Sequence, residues 1–142
     1  MTTTQSTRRV YTFRTRFVPL IDAKVKLHTM RRAGKRPPPK VGTLLDLRYW
    51  SDRPYNSPQV KIGTAVCSKV ETCVIVALDN RVCLDGKLLT VAERDAFALR
   101  DGFKDWADMR FFFLEMHGTG TVAGNLIHWN PATYTSAEPL HA

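Results

Sequence analysis

Apolar and polar positions along the chain predict strands through its first two thirds and helices beyond. In residues 11–17, YTFRTRF, aromatic and polar residues alternate with the period of a half-buried strand, which sets Arg14 and Arg16 on its outer face. Residues 18–23 form a short apolar helical turn, and residues 26–32, KLHTMRR, read as a strand or extended segment. The following AGKRPPPKVG contains three consecutive prolines, which remove backbone donors and fix φ, so it predicts a stiff cationic loop. Residues 43–50, TLLDLRYW, predict a strand, and SDRPYNSPQ a second loop. Residues 61–78 are rich in Val, Ile, Thr and Cys and predict one long strand or two consecutive ones, broken near residues 68–71. Asp85-Gly86, between short apolar runs in residues 81–89, signals a hairpin.

The pattern then turns helical. Thr90-Val91-Ala92-Glu93 has the form of a capping box, in which the Thr90 hydroxyl serves the Glu93 amide and the Glu93 carboxylate reaches back. Val91, Phe97 and Ala98 supply an apolar face, and Gly102 is placed to end the helix with positive φ. Residues 104–117 predict a second helix, in which Trp106, Met109, Phe112, Phe113 and Met116 recur at helical spacing as a core stripe, with Gly118 as its stop. Residues 126–129 read as a closing strand. No internal repeat is present. Strands dominate with helices between them, so a small mixed α+β fold or closed β-barrel is expected.

At 142 residues, 44% of them apolar, the chain predicts one globular domain with a sizeable core. No run of about 18 uncharged apolar residues occurs, and MTTTQSTRR lacks the apolar centre of a secretion signal, so no membrane and a cytoplasmic location are expected. Cys67, Cys73 and Cys83 lie among strand-like apolar residues and are expected as buried free thiols. With no C-x-x-C and no close His pairing, no metal site is expected. The net charge of +8 is uneven. Residues 1–61 hold 14 Lys/Arg against 3 Asp/Glu, and residues 62–142 hold 7 against 10. Such asymmetry points to one basic face and a polyanionic partner.

That charge is densest in KVKLHTMRRAGKR, residues 24–36, where Lys26, Thr29 and Arg31 stand in a K-x-x-T-x-R spacing. A cationic strip attracts phosphate, and a hydroxyl three residues from an amine is a candidate activated nucleophile. In a strand, residues of equal parity share a face, so Lys26 meets Thr29 only if it sits at a bend before the strand. As a base, Lys26 needs a depressed pKa from burial near Arg31 and other cations; as a solvated lysine it does not. Arg31 suits a carboxylate such as Asp101, a phosphate or a pyrimidine carbonyl. Arg32 extends the basic strip, and Lys35, Arg36 and Lys40 around the prolines are the best electrostatic contacts for phosphate. His28 is a candidate to stack on a base or share a proton, and Trp50 and Tyr49 offer a stacking surface or core packing.

KLHTMR, the strand with Gly42, Leu44, Asp46 and Leu47, then Leu84-Asp85-Gly86, residues 98–103 (ALRDGF), residues 109–113, and a final His128-Trp129 occur in an order that resembles the ASCH domain family, relatives of the PUA RNA-binding fold. The resemblance covers residues 11–131 and leaves residues 1–10 and 132–142 as tails. It implies an α+β fold built as a small PUA-like β-barrel with two to three helices, and RNA or a modified nucleoside as ligand. One branch of the family removes the acetyl group from N4-acetylcytidine with a Lys proton acceptor, a Thr nucleophile and a Glu. By that resemblance Lys26 and Thr29 take the first two roles and Asp101 stands where the branch has Glu, with a reach shorter by about 1.5 Å. The expected function is therefore binding of RNA or acylated cytidine by a monomer without a cofactor, with amide hydrolysis in the enzymatic version. A PUA-like RNA-binding module and a ribonuclease using Lys26 and His28 are the alternatives.

Overall fold

A computed structural model describes residues 7–137. It is a mixed α+β fold: a seven-stranded sheet with three α-helices. Strand β1 (Arg8–Phe13) runs parallel to β3 (Leu44–Trp50), which is antiparallel to β4 (Gln59–Val76). The far half of β4 pairs with β5 (Arg81–Leu84), and β5 pairs with β6 (Lys87–Leu88). Along the same β4 lies β7 (Thr121–Ser136), which also carries β2 (His28–Arg32). No pairing among the described residues closes the sheet on itself.

Four strand boundaries depart from the sequence pattern. The strand expected over residues 11–17 begins earlier, at Arg8, and stops at Phe13; Thr15–Phe17 is a turn of 3₁₀ helix leading into α1 (Val18–Asp22). Pro19 in the first turn of α1 favours that helical start. Arg16, ion-paired to Asp108 at 2.9 Å, lies over the rings of Phe17 and Phe103 at 5.1 and 5.0 Å and ties the turn down. β4 is continuous through residues 68–71, because the expected break is absorbed as a register shift against β7 between Cys67 and Lys69. β7 is far longer than residues 126–129 since β4 offers it a long edge. Pro131 is accommodated where the ladder skips from Asn130 to Thr135, with Thr133 Oγ1 accepting the Val66 amide at 2.9 Å. The expected tails overlap β1 and β7 in part; residues 1–6 and 138–142 lie outside the described residues.

The local signals appear as read. Asp85 (φ 49°) and Gly86 (φ 81°) turn β5 into β6. Helix α2 (Val91–Arg100) opens on the capping box: Thr90 Oγ1 accepts the Glu93 amide at 3.1 Å and Glu93 Oε1 accepts the Thr90 amide at 2.9 Å. Helix α3 (Trp106–His117) is capped by Asp105, which accepts the Asp108 amide at 2.9 Å. Leu45, Leu47, Ile75, Met109, Leu126 and Ile127 are almost fully enclosed between sheet and helices, each worth roughly 1.5–3 kcal/mol of transfer free energy. Val91, the first residue of α2, is exposed and not part of that core. Cys67 and Cys73 are buried free thiols, while Cys83 is only half-buried because β5 has just the two-residue β6 on its outer side.

Candidate functional site

The site is built where α2 stops. Asp101 caps the helix, Gly102 follows at φ 95°, the Phe103 amide reaches the Ala98 carbonyl at 2.9 Å and the Gly102 amide reaches Leu99 at 3.0 Å. That is a Schellman ending, which demands a residue tolerant of positive φ. A Cβ at residue 102 would also press on Phe17 Cδ1 at 3.1 Å and Lys26 Cδ at 3.2 Å. The chain before β2 docks on this helix end. The Leu27 amide donates to the Arg100 carbonyl at 2.8 Å, and Lys26 Nζ donates to the Asp101 carbonyl at 2.6 Å. Two of the helix's last carbonyls are thereby satisfied, and a cation occupies the negative end of its dipole.

Lys26 is 2% exposed. It sits in the bend before β2, after Lys24 at φ 62°, as the K-x-x-T spacing requires if it is to meet Thr29. Its ammonium lies 3.3 Å from Asp101 Oδ1 and 4.7 Å from the Phe17 ring centre. Burial pulls its pKa down to about 8; the Asp101 carboxylate opposes that shift and the Arg31 guanidinium adds to it. Thr29 is buried, and Arg31 Nε donates to its hydroxyl at 3.3 Å. Arg31 is held in turn by the Thr12 carbonyl at 2.7 Å and stacks over Tyr11 and Phe13 at 5.0 and 4.8 Å. It makes no ion pair with Asp101. Burial lowers the Arg31 pKa, so its charge is poorly hydrated.

Lys26, Thr29, Arg31 and Asp101 all line one cavity of about 500 Å³. Much of its wall is aromatic: Phe17, Phe103, Phe112 and Phe113 on one side, Trp50 and Tyr55 on another. Trp50 packs on the exposed Tyr55 with centroids 5.1 Å apart, and Tyr55 has φ 67°, a rare conformation for a side chain of that size. Cavities of this size, apolar with a few convergent polar groups, suit small molecules.

The other sequence candidates fall elsewhere. His28 does not line the cavity. Its ring lies behind Asp101, with Nδ1 2.8 Å from Oδ1, stacked on Phe97 at 5.3 Å and edge-on to His128 at 5.0 Å. An ionised Asp101 only accepts, so Nδ1–H is the donor and His28 orients the carboxylate. Arg32 lines the cavity and a second depression of about 290 Å³, which it shares with Arg31, Lys35 and Arg36; Lys40 lines neither. Tyr49 is half-buried at the core and does not line the cavity.

The pattern of residues offered Trp50 as a stacking surface but missed the rest of the cavity's aromatic wall. Phe112 and Met116, read as core, stand i, i+4 on α3 and face the cavity, while Trp106 and Met109 are buried in the core. The only sequence cue was the width of the stripe. The Tyr55 loop carried no cue beyond its prolines. Comparisons with protein-family models, with curated proteins and with solved structures found no match.

Proposed function

We propose that this chain is an ASCH-type domain and that its cavity hydrolyses the amide of an N4-acylated cytidine. The observation that carries the reading is the convergence of Lys26, Thr29 and Asp101 on one aromatic-walled cavity, with the amine buried and its pKa brought down to about 8. A lysine in water is almost wholly protonated at neutral pH and cannot act as a base. At about 8, roughly a tenth of it is free amine at pH 7.

In the reaction, neutral Lys26 takes the Thr29 hydroxyl proton and Thr29 Oγ1 bonds to the acyl carbon, while the carbonyl π electrons move onto its oxygen. Arg31, already 3.3 Å from that hydroxyl, stabilises the oxyanion. Collapse breaks the C–N bond, and the proton held by the Lys26–Asp101 pair passes to the leaving N4 amine. Water then attacks the acyl-threonine ester, releasing the carboxylic acid and restoring the hydroxyl. The shorter Asp101 side chain still reaches Lys26, its Oδ1 lying 3.3 Å from Nζ. The aromatic walls, Trp50 and Tyr55 among them, suit the flat base.

The test is incubation with N4-acetylcytidine, followed by the ultraviolet change on deacylation. Turnover by the wild type and its loss in Thr29→Ala is the expected result. Turnover that survives Thr29→Ala removes Thr29 from the mechanism, and no turnover by the wild type removes the reaction.

A further inference from the structure

The depression beside the cavity bears on the ligand. Beyond β2 the chain bends at Lys35 and Arg36, and the proline run is held against β1 by the Arg9 guanidinium, which donates to the Pro37 carbonyl at 2.8 Å. Arg9, Arg31, Arg32, Lys35 and Arg36 line the resulting trough, and no Asp or Glu does. Elsewhere Arg8, Arg48 and Lys61 meet Asp46, Arg16 meets Asp108 and Lys69 meets Glu71; among the described residues, none of the five trough cations is in an ion pair. Like charges gathered in one concavity repel one another, and that arrangement raises the local concentration of anions. Proline-fixed backbone reduces the entropy lost when such a loop closes on a ligand.

The trough adjoins the cavity. Arg31 and Arg32 line both, and Arg31 touches the Thr29 hydroxyl. One molecule of modest length passing Arg31 can therefore set one group in the trough and another at Thr29. We infer that the trough is a phosphate subsite and that the cavity takes a nucleotide, free or within an RNA strand, in preference to an unphosphorylated nucleoside. This rests on the cavity being a nucleoside site. Guanidinium forks such as those of Arg32 and Arg36 match phosphate oxygens, which accept from several donors at once.

Calorimetric titration of the full chain with cytidine, cytidine 5′-monophosphate and a pentacytidine RNA tests the inference, in low and moderate salt, with wild type and a Lys35→Gln/Arg36→Gln variant. Both substituted residues are exposed, so folding is preserved. In low salt the phosphorylated ligands are expected to bind about tenfold or more tightly than cytidine. That gain shrinks as salt rises and largely disappears in the double variant. RNA binding tighter than the monophosphate marks a strand as the source, and equal binding marks a single phosphate. Equal affinity for all three ligands, binding of none, or a gain that survives the double substitution overturns the subsite. The readout is binding, so the two readings fail separately. A phosphate gain without hydrolysis of N4-acetylcytidine leaves the trough and removes the hydrolase, and hydrolysis without a phosphate gain does the reverse.

Discussion

Replacing Lys26 with Met keeps the side chain's length and removes its charge, and the consequence is best read as a function of pH. The folded protein releases the Lys26 proton near pH 8, whereas the unfolded chain holds it to about the ordinary 10.5. Between those values the unfolded state binds more protons, so the wild type gains stability as pH rises. A difference of about 2.5 pH units at roughly 1.4 kcal/mol each makes the gain about 3 kcal/mol. Lys26→Met lacks it. Its absolute stability at pH 7 mixes the lost hydrogen bond to the Asp101 carbonyl with the removed cost of a buried charge. The change with pH isolates the titration. Cys67, Cys73, Tyr11 and Tyr134, whose pKa values burial raises, pull the other way at alkaline pH, but they do so in both proteins and cancel in the difference. Urea unfolding in steps from pH 7 to 11, at one salt concentration, should show the wild type rising by about 3 kcal/mol relative to Lys26→Met. A difference that stays flat, or falls, would refute the assignment of Lys26 as a desolvated amine.

Three further outcomes follow from the same geometry. If free Lys26 amine is the base, kcat/KM for N4-acetylcytidine should climb about tenfold from pH 6 to 7 and level off above about 8; a profile flat over that range would exclude it. Gly102→Ala forces a positive φ on alanine and pushes its Cβ against Phe17 and Lys26, so urea unfolding should show a loss of about 1–3 kcal/mol, with turnover falling too. Thr90→Ala removes half of the exposed capping box and should cost about 1 kcal/mol in the same assay while leaving turnover unchanged.

The residues determined those features whose causes lie within a few positions of one another. The Thr90–Glu93 box, the Asp85-Gly86 turn and the positive φ at Gly102 are set by local hydrogen bonding and sterics, and each stands where its residues indicated. The length of β7 and the continuity of β4 were illegible because each long strand exists through the edge the other offers, and pairing partners carry no mark in their own segments. The α3 stripe looked uniform, yet only packing against the sheet divides it into Trp106 and Met109 for the core and Phe112 and Met116 for the cavity. The K-x-x-T-x-R spacing named Lys26, Thr29 and Arg31, but not that the ammonium would end on the last carbonyl of a helix 75 positions away. Burial is a property of the whole fold, and it alone turns an ordinary lysine into an amine that releases its proton near pH 8.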